Sequence, residues 1–188
     1  MSTLKYKLHT IGPAVGEGAT NSIHMAISGV AKRATAASPF IVANELFCCE
    51  VARQLLLPCP PGAVTDINGT AHFFSLNFNV SGLALPPIDP NQLVAFDAEL
   101  CWRIIAFDAF VMNSDRHARN ITHNTANHET QIFDHSHTVL GPGTDYQAYW
   151  AGPGNNLGIV GHCLAGVVAS ENGKDEAIRR VSDRKSVV

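Results

Sequence analysis

The chain has 188 residues, 46% of them hydrophobic and 15% charged, with a formal net charge of −3. That composition supplies core for one domain or two small lobes and excludes a disordered chain. It offers no basic surface for nucleic acid, and no apolar run reaches the length of a membrane span.

Residues 1–12 carry charge without an apolar segment, so no secretory signal is expected, and the expected location is cytoplasmic. Residues 4–10 alternate as a strand. The run that follows contains Gly16 and Gly18, which suit a turn between two strands. Such a turn lets backbone N–H groups approach phosphate, although a plain hairpin explains the same glycines. Residues 21–27 and 30–34 read as a second hairpin turning at Ser28-Gly29. Lys32 lies late in its second strand, either as a cation for phosphate or as a solvated edge-strand lysine.

Residues 40–57 give the clearest helix, with Val42, Leu46, Cys49, Ala52 and Leu56 at helical spacing. Pro58 and the Pro60-Pro61-Gly62 run stop it. Glu45 lies one turn in, where an acid suits the helix dipole. It is equally placed to pair with Lys32; such a pair, if mostly exposed, would add little stability. Residues 62–67 and 70–78 form a hairpin at Asn68-Gly69, a strong two-residue turn signal. Residues 80–92, rich in Pro and Gly, read as a crossing between two lobes. Residues 97–112 form a second helix, with Leu100, Ile104, Phe107, Ala109 and Val111, and it delivers Asn113 and Asp115.

The stretch 107–140 carries the chemistry. Asp115 is followed five positions later by Asn120, and Asp134 comes fourteen after that. This is the layout of a kinase catalytic loop and metal-binding loop. One acid holds or deprotonates the attacking hydroxyl, while an amide oxygen and a second acid supply hard ligands for Mg²⁺. Ile132-Phe133-Asp134 reads as a short buried strand that ends by aiming the acid into a cleft. The alternative is that Asp115 and Asn120 only cap a helix or shape a turn. His117, His123, His128, Asp134, His135 and His137 crowd the same region and raise a transition-metal alternative, since His and carboxylate are common ligands, but their spacing fits no zinc signature. On a strand, His135 and His137 would share a face. After Leu140 the chain is loop-rich, with a short helix expected at 174–183. Cys48, Cys49, Cys59, Cys101 and Cys163, an odd count without C-x-x-C spacing, read as reduced and mostly buried thiols.

The words NSDRHARN (113–120) and FDHSHTVLG (133–141) resemble the HipA-like kinases. So do the Asn44-Glu45-Leu46 helix and the Cys59-Pro60-Pro61-Gly62 run after it; together the resemblance spans over half of the chain. It implies an α/β (α+β), two-lobed, protein-kinase-like fold: a small antiparallel sheet with one helix in 1–80, then a reduced helical lobe in 81–188. It implies ATP and Mg²⁺ as cofactors and a protein Ser/Thr hydroxyl as acceptor. Asp115 would position and deprotonate that hydroxyl, with His117 bracing the loop. Asn120 and Asp134 would hold Mg²⁺. Lys32, paired with Glu45, would hold the phosphates, and Gly16 and Gly18 would approach them. Residues 75–79 would be the hinge whose backbone meets the adenine. The alternative is an inactive kinase-fold interaction protein, either a pseudokinase or a mobile-element-encoded inhibitor of a host protein complex.

Overall fold

The computed structural model describes residues 8–15, 22–79, 86–126, 128–151 and 161–168. β1 (Leu8–Ala14) and β2 (Ile23–Ile27) form an antiparallel ribbon, continued by the Val15 N–H donating to the Ser22 carbonyl at 2.9 Å. The turn with Gly16 and Gly18 lies outside the described residues, as do residues 1–7 and the helix expected at 174–183.

β3 (Gly29–Arg33) does not pair with β2, so the hairpin expected at Ser28-Gly29 is wrong. Only Ser28 separates the two strands, which is too short for a two-residue turn. The Ser28 carbonyl instead accepts the Asn77 N–H at 2.9 Å. Gly29 presses on the Phe74 ring, where a Cβ would come within 1.9 Å of Cε2. The chain therefore changes sheets at this point, and β3 pairs with a strand much later in sequence.

α1 (Ile41–Gln54) buries Asn44, Glu45, Cys48, Cys49 and Ala52. This stripe is more polar than the one expected, and Leu56 is 72% exposed beyond the helix end. The helix stops before the prolines. Leu56 takes φ 55°, its N–H reaches the Arg53 carbonyl at 3.0 Å, and the Leu57 N–H reaches Ala52 at 2.8 Å. That is a Schellman ending with leucine where glycine is usual.

β4 (Gly62–Ile67) and β5 (Thr70–Leu76) pair antiparallel around Asn68-Gly69 as expected. Both turn residues have positive φ, 54° and 77°, the geometry a type I′ turn requires. The sheet order is β3-β5-β4, with α1 packed on it.

Within the stretch expected to be a crossing, α2 (Pro90–Phe96) begins on an Asp89 cap whose carboxylate accepts the Asn91 N–H at 2.9 Å. Proline at the first helical position is preorganised for that start. α3 (Ala98–Phe110) follows with an Asp97 cap. It also ends in a Schellman motif: Met112 has φ 52°, and the Asn113 N–H reaches the Asp108 carbonyl at 2.8 Å. β6 (Ile121–Asn124) and β7 (Glu129–Ile132) form a second ribbon. Two short helices lie in the stretch expected to be loop, α4 (Tyr146–Ala151), started by Asp145, and α5 (Ala165–Val168).

The described residues thus form a mixed α/β architecture of small antiparallel sheets and five helices. The core runs from Cys48 and Ala52 of α1 through Leu93, Trp102, Ile104 and Phe107 to Ile121, Ile132, Leu164 and Val168. Among the described residues no helix is long and apolar enough to cross a membrane.

Candidate functional site

Lys32 leaves β3 two residues after Val30, and strand alternation puts both on one face. Glu45 leaves α1 from the turn that faces the sheet. Their heads meet at 2.5 Å, and the same ammonium lies 2.7 Å from Asp134 Oδ1, a residue 102 positions away in sequence. The Ser136 hydroxyl sits 2.9 Å from both Glu45 Oε1 and Asp134 Oδ1, and its one proton serves one of them at a time. The His135 N–H donates to Glu45 Oε1 at 3.1 Å. Asn44 completes the clip: its amide nitrogen donates to the Ser136 and Gly141 carbonyls, and its oxygen accepts the Leu140 N–H at 3.0 Å.

The electrostatics follow from burial against charge. Burial disfavours the Glu45 carboxylate, but His135 and Lys32 outweigh it and bring its pKa down to about 2. Burial likewise opposes the Lys32 charge, while Glu45 and Asp134 raise its pKa above 10.5. Asp134 is held below the usual carboxylate range by Lys32, against its own desolvation. Asp134 takes φ 61°, a left-handed conformation that costs a non-glycine residue energy and is common at functional sites.

The second half of the site is the loop after α3. Asn113 is buried; its amide donates to Asp108 at 2.8 Å and its oxygen accepts the Asp115 N–H at 3.1 Å. The Asn120 side chain donates to the Asp115 carbonyl at 2.9 Å, and the Asn120 carbonyl accepts the Phe133 N–H at 3.1 Å. Asp115, Asn120 and the residue before Asp134 are thereby tied into one unit. The Asp115 carboxylate is 45% exposed, with His137 Nδ1 at 3.5 Å and His117 Nε2 at 3.9 Å. His117 braces the loop, accepting the Asn120 N–H on its carbonyl and the Arg119 N–H on Nδ1.

Sequence reasoning missed the strut beneath this loop. Arg116 is fully buried and grips Asp108 at 2.8 and 3.0 Å. Its remaining nitrogen donates to the Asn120 and Phe133 carbonyls at 2.9 and 2.8 Å. His162 donates from Nε2 to Asp108 at 3.0 Å, while its Nδ1 accepts the Leu164 N–H, which fixes the tautomer. Desolvation would raise the Asp108 pKa, but Arg116 and His162 hold it well below the usual range. The one legible signal was an arginine inside the Asp115–Asn120 word. Tyr149 was missed too; its hydroxyl bonds the Met112 carbonyl and, at 3.2 Å, the His137 carbonyl, joining the two loops.

Two expectations fail here. β7 ends at Ile132, so Asp134, His135 and His137 follow a strand rather than lie on one. His135 is buried against the Phe107 ring, while the His137 side chain is 43% exposed, so they share no face. Among the described residues no three His, Cys, Asp or Glu side chains converge as metal ligands.

Beside the Lys32–Glu45–Asp134 group lies a cleft of about 500 Å³, within the range of small-molecule sites; Arg119 lines it, whereas Asp115 and Asn120 are not among its lining residues. Val30, Lys32 and Phe73 form one wall, the segment 75–79 another, and Phe133, Asp134 and Arg119 the third. The Phe78 and Phe133 rings pack 5.3 Å apart at its edge. The structure brings Lys32, Glu45 and Asp134 together, sets Asp115 and Asn120 in one adjoining loop, and leaves Gly16 and Gly18 undescribed. No protein-family model, no curated protein and no solved structure matches the chain.

Proposed function

We propose that the chain is a HipA-like kinase: it binds ATP with Mg²⁺ in this cleft and transfers the terminal phosphoryl group to a protein Ser/Thr hydroxyl. In this reading residues 1–80 form the sheet-bearing lobe and 81–188 the reduced helical lobe of a protein-kinase-like fold. The observation that carries it is the meeting of Lys32, Glu45 and Asp134, drawn from three distant segments onto one side of a cleft of nucleotide size. A lysine–glutamate pair facing an aspartate is the charge arrangement that phosphoryl transfer uses.

In this reading two residues would hold the Mg²⁺, Asp134 at the cleft and Asn120 in the adjoining loop. Asp134 and the Asn120 side-chain oxygen are hard donors of the kind Mg²⁺ prefers. Bound there, the metal would neutralise phosphate charge. Lys32 would give up its contact with Asp134 to hold a phosphate oxygen, with Glu45 keeping its head in place. The Leu76 and Asn77 N–H groups are bonded to the Pro61 and Ser28 carbonyls, so within 75–79 the Phe78 backbone would meet the base. Asp115, half exposed in the adjoining loop, would accept the proton of the acceptor hydroxyl as that oxygen bonds to phosphorus and ADP departs. Charge neutralisation and positioning, rather than covalent chemistry, supply the rate.

The test is labelled ATP with Mg²⁺, wild type against Asp115→Asn and Asp134→Asn. Wild-type transfer that falls by orders of magnitude in both variants supports the reading. Equal transfer in all three, or none with any hydroxyl-bearing protein offered, counts against it. A second reading, a kinase-fold interaction protein without catalysis, is favoured by the apolar ribbon surface: Ile11, Ile23 and Met25 are 65%, 47% and 54% exposed. Thermal melting separates the two. Nucleotide at a hundredfold excess over Kd adds about 2.7 kcal/mol, or about 5–10 °C in a chain of this size. No shift at millimolar Mg²⁺-ATP, with a stable protein complex captured instead, favours the second.

A further inference from the structure

We propose that Cys49 and Cys59 are a redox pair in the back wall of the cleft, which a hydroperoxide closes into a reversible disulfide that reshapes that wall. Both side chains line the cleft, Cys49 from α1 and Cys59 from the segment after it. Both sulfurs address one acceptor, the Pro60 carbonyl, at 3.3 and 3.8 Å. The other cysteines are placed differently. Cys48, as buried as Cys49, bonds Thr138 and does not line the cleft, and burial pushes its pKa up to about 12. Burial raises Cys101 to about 12 and Cys163 to about 11.

The pair has the asymmetry that oxidation needs. The neighbouring Cys59 lowers the Cys49 pKa, while Cys49, and then burial, raises that of Cys59. As thiols both donate to the Pro60 carbonyl. The Cys49 sulfur attacks one oxygen of hydrogen peroxide, the O–O bond breaks, and a sulfenic acid and hydroxide form. The Cys59 sulfur, losing its proton, attacks the Cys49 sulfur, and the S–O bond breaks. Two thiols and one peroxide become one disulfide and two waters, with both electrons passing to the peroxide oxygens.

The effect follows from what the intervening segment holds. The Pro58 carbonyl accepts the Ile132 N–H at 2.8 Å, at the end of the strand that leads to Asp134. The Pro61 carbonyl accepts the Leu76 N–H at 2.9 Å, at the start of the 75–79 wall. A disulfide draws the sulfurs to about 2.05 Å. Cys49 is fixed in a packed helix, so the movement falls on the prolyl segment and on the two walls bonded to it. None of this requires a nucleotide in the cleft.

The test treats the full chain with dilute hydrogen peroxide, blocks remaining thiols with N-ethylmaleimide, and maps disulfides by mass spectrometry without reduction. A Cys49–Cys59 linked peptide that dithiothreitol reverses is expected, with loss of hydrogen-exchange protection at the Leu76 and Ile132 amides. Cys59→Ser is expected to stop at a Cys49 sulfenic acid, trapped by dimedone. The proposal is overturned if both thiols stay alkylatable, if Cys48, Cys101 or Cys163 oxidises as readily, or if the link forms with both amides unchanged. Mg²⁺-ATP binding to the reduced protein is measured separately. Its absence would remove the kinase reading and leave the redox pair standing.

Discussion

Replacing Lys32 by Met keeps most of the aliphatic stem and deletes the charge. The sequence suggested an exposed pair of little worth, but the Glu45 side chain is 3% exposed against 28% for Lys32. Without the ammonium, Glu45 keeps the His135 N–H and the Ser136 hydroxyl and loses its counter-charge. Breaking a buried pair from one side costs about 3–5 kcal/mol. Two remaining donors and the partial exposure of Lys32 reduce this to about 1–3 kcal/mol. In a chain of this size that is a fall in Tm of about 2–12 °C. The pH dependence has a definite sign. Glu45 titrates at about 2 folded against 4.5 unfolded, so its stabilisation is full above 4.5 and is lost as pH falls through about 2. Lys32 contributes below 10.5 and loses its contribution only as pH rises through its raised folded pKa. The variant should therefore show a lower Tm at neutral pH and an acid limb moved to higher pH. Circular-dichroism melts of both proteins across the acid range measure it. Identical Tm and identical acid midpoints would refute the buried-pair argument.

Asp108→Asn should cost about 3–5 kcal/mol, because it strands the fully buried Arg116 guanidinium. Urea unfolding measures this, and adding Arg116→Met should recover part of the loss. Leu56→Gly should raise stability by up to about 1 kcal/mol, since the left-handed cost of leucine exceeds the entropy cost of glycine and little apolar burial is lost; a lower melting temperature would contradict it. Tyr149→Phe should cost about 1 kcal/mol and speed hydrogen exchange at the Ser114 amide, which donates to the His137 carbonyl at 3.3 Å.

What the sequence revealed was local chemistry or a recognisable word. Asn68-Gly69 predicts its turn because few residue pairs take positive φ twice. The two long helices are legible from periodicity, Asp134 from its spacing after Asp115 and Asn120, and Lys32 and Glu45 as site residues only through the resemblance. Strand partners were not legible, because whether β3 pairs with β2 or β5 depends on Gly29 meeting Phe74, a contact across 45 residues. The helix ends were missed because leucine and methionine occupy positions that glycine usually marks. α2 was missed although Asp89-Pro90 is a start signal, because Pro and Gly dominate the stretch around it. Asp108, Ser136 and His162 carry no pattern of their own; only the folded chain gives them partners.

The Arg116 strut sets the order in which the site can be built. Its acceptors stand before and after the β6–β7 ribbon, and the Asp108 it grips is also held by His162, 54 positions downstream of that carboxylate. The Lys32–Asp134 contact closes a still longer loop, 102 positions. Contacts of such sequence separation form late, after the loop entropy has been overcome by packing. A chain emerging from the ribosome can complete α1 and the β4–β5 hairpin early, but the guanidinium gains its full set of partners only once residue 133 is out, and Asp108 gains its own only with residue 162. During synthesis the cleft cannot close before Asp134 has emerged, and the unfinished chain leaves that charge without its carbonyl partners until then.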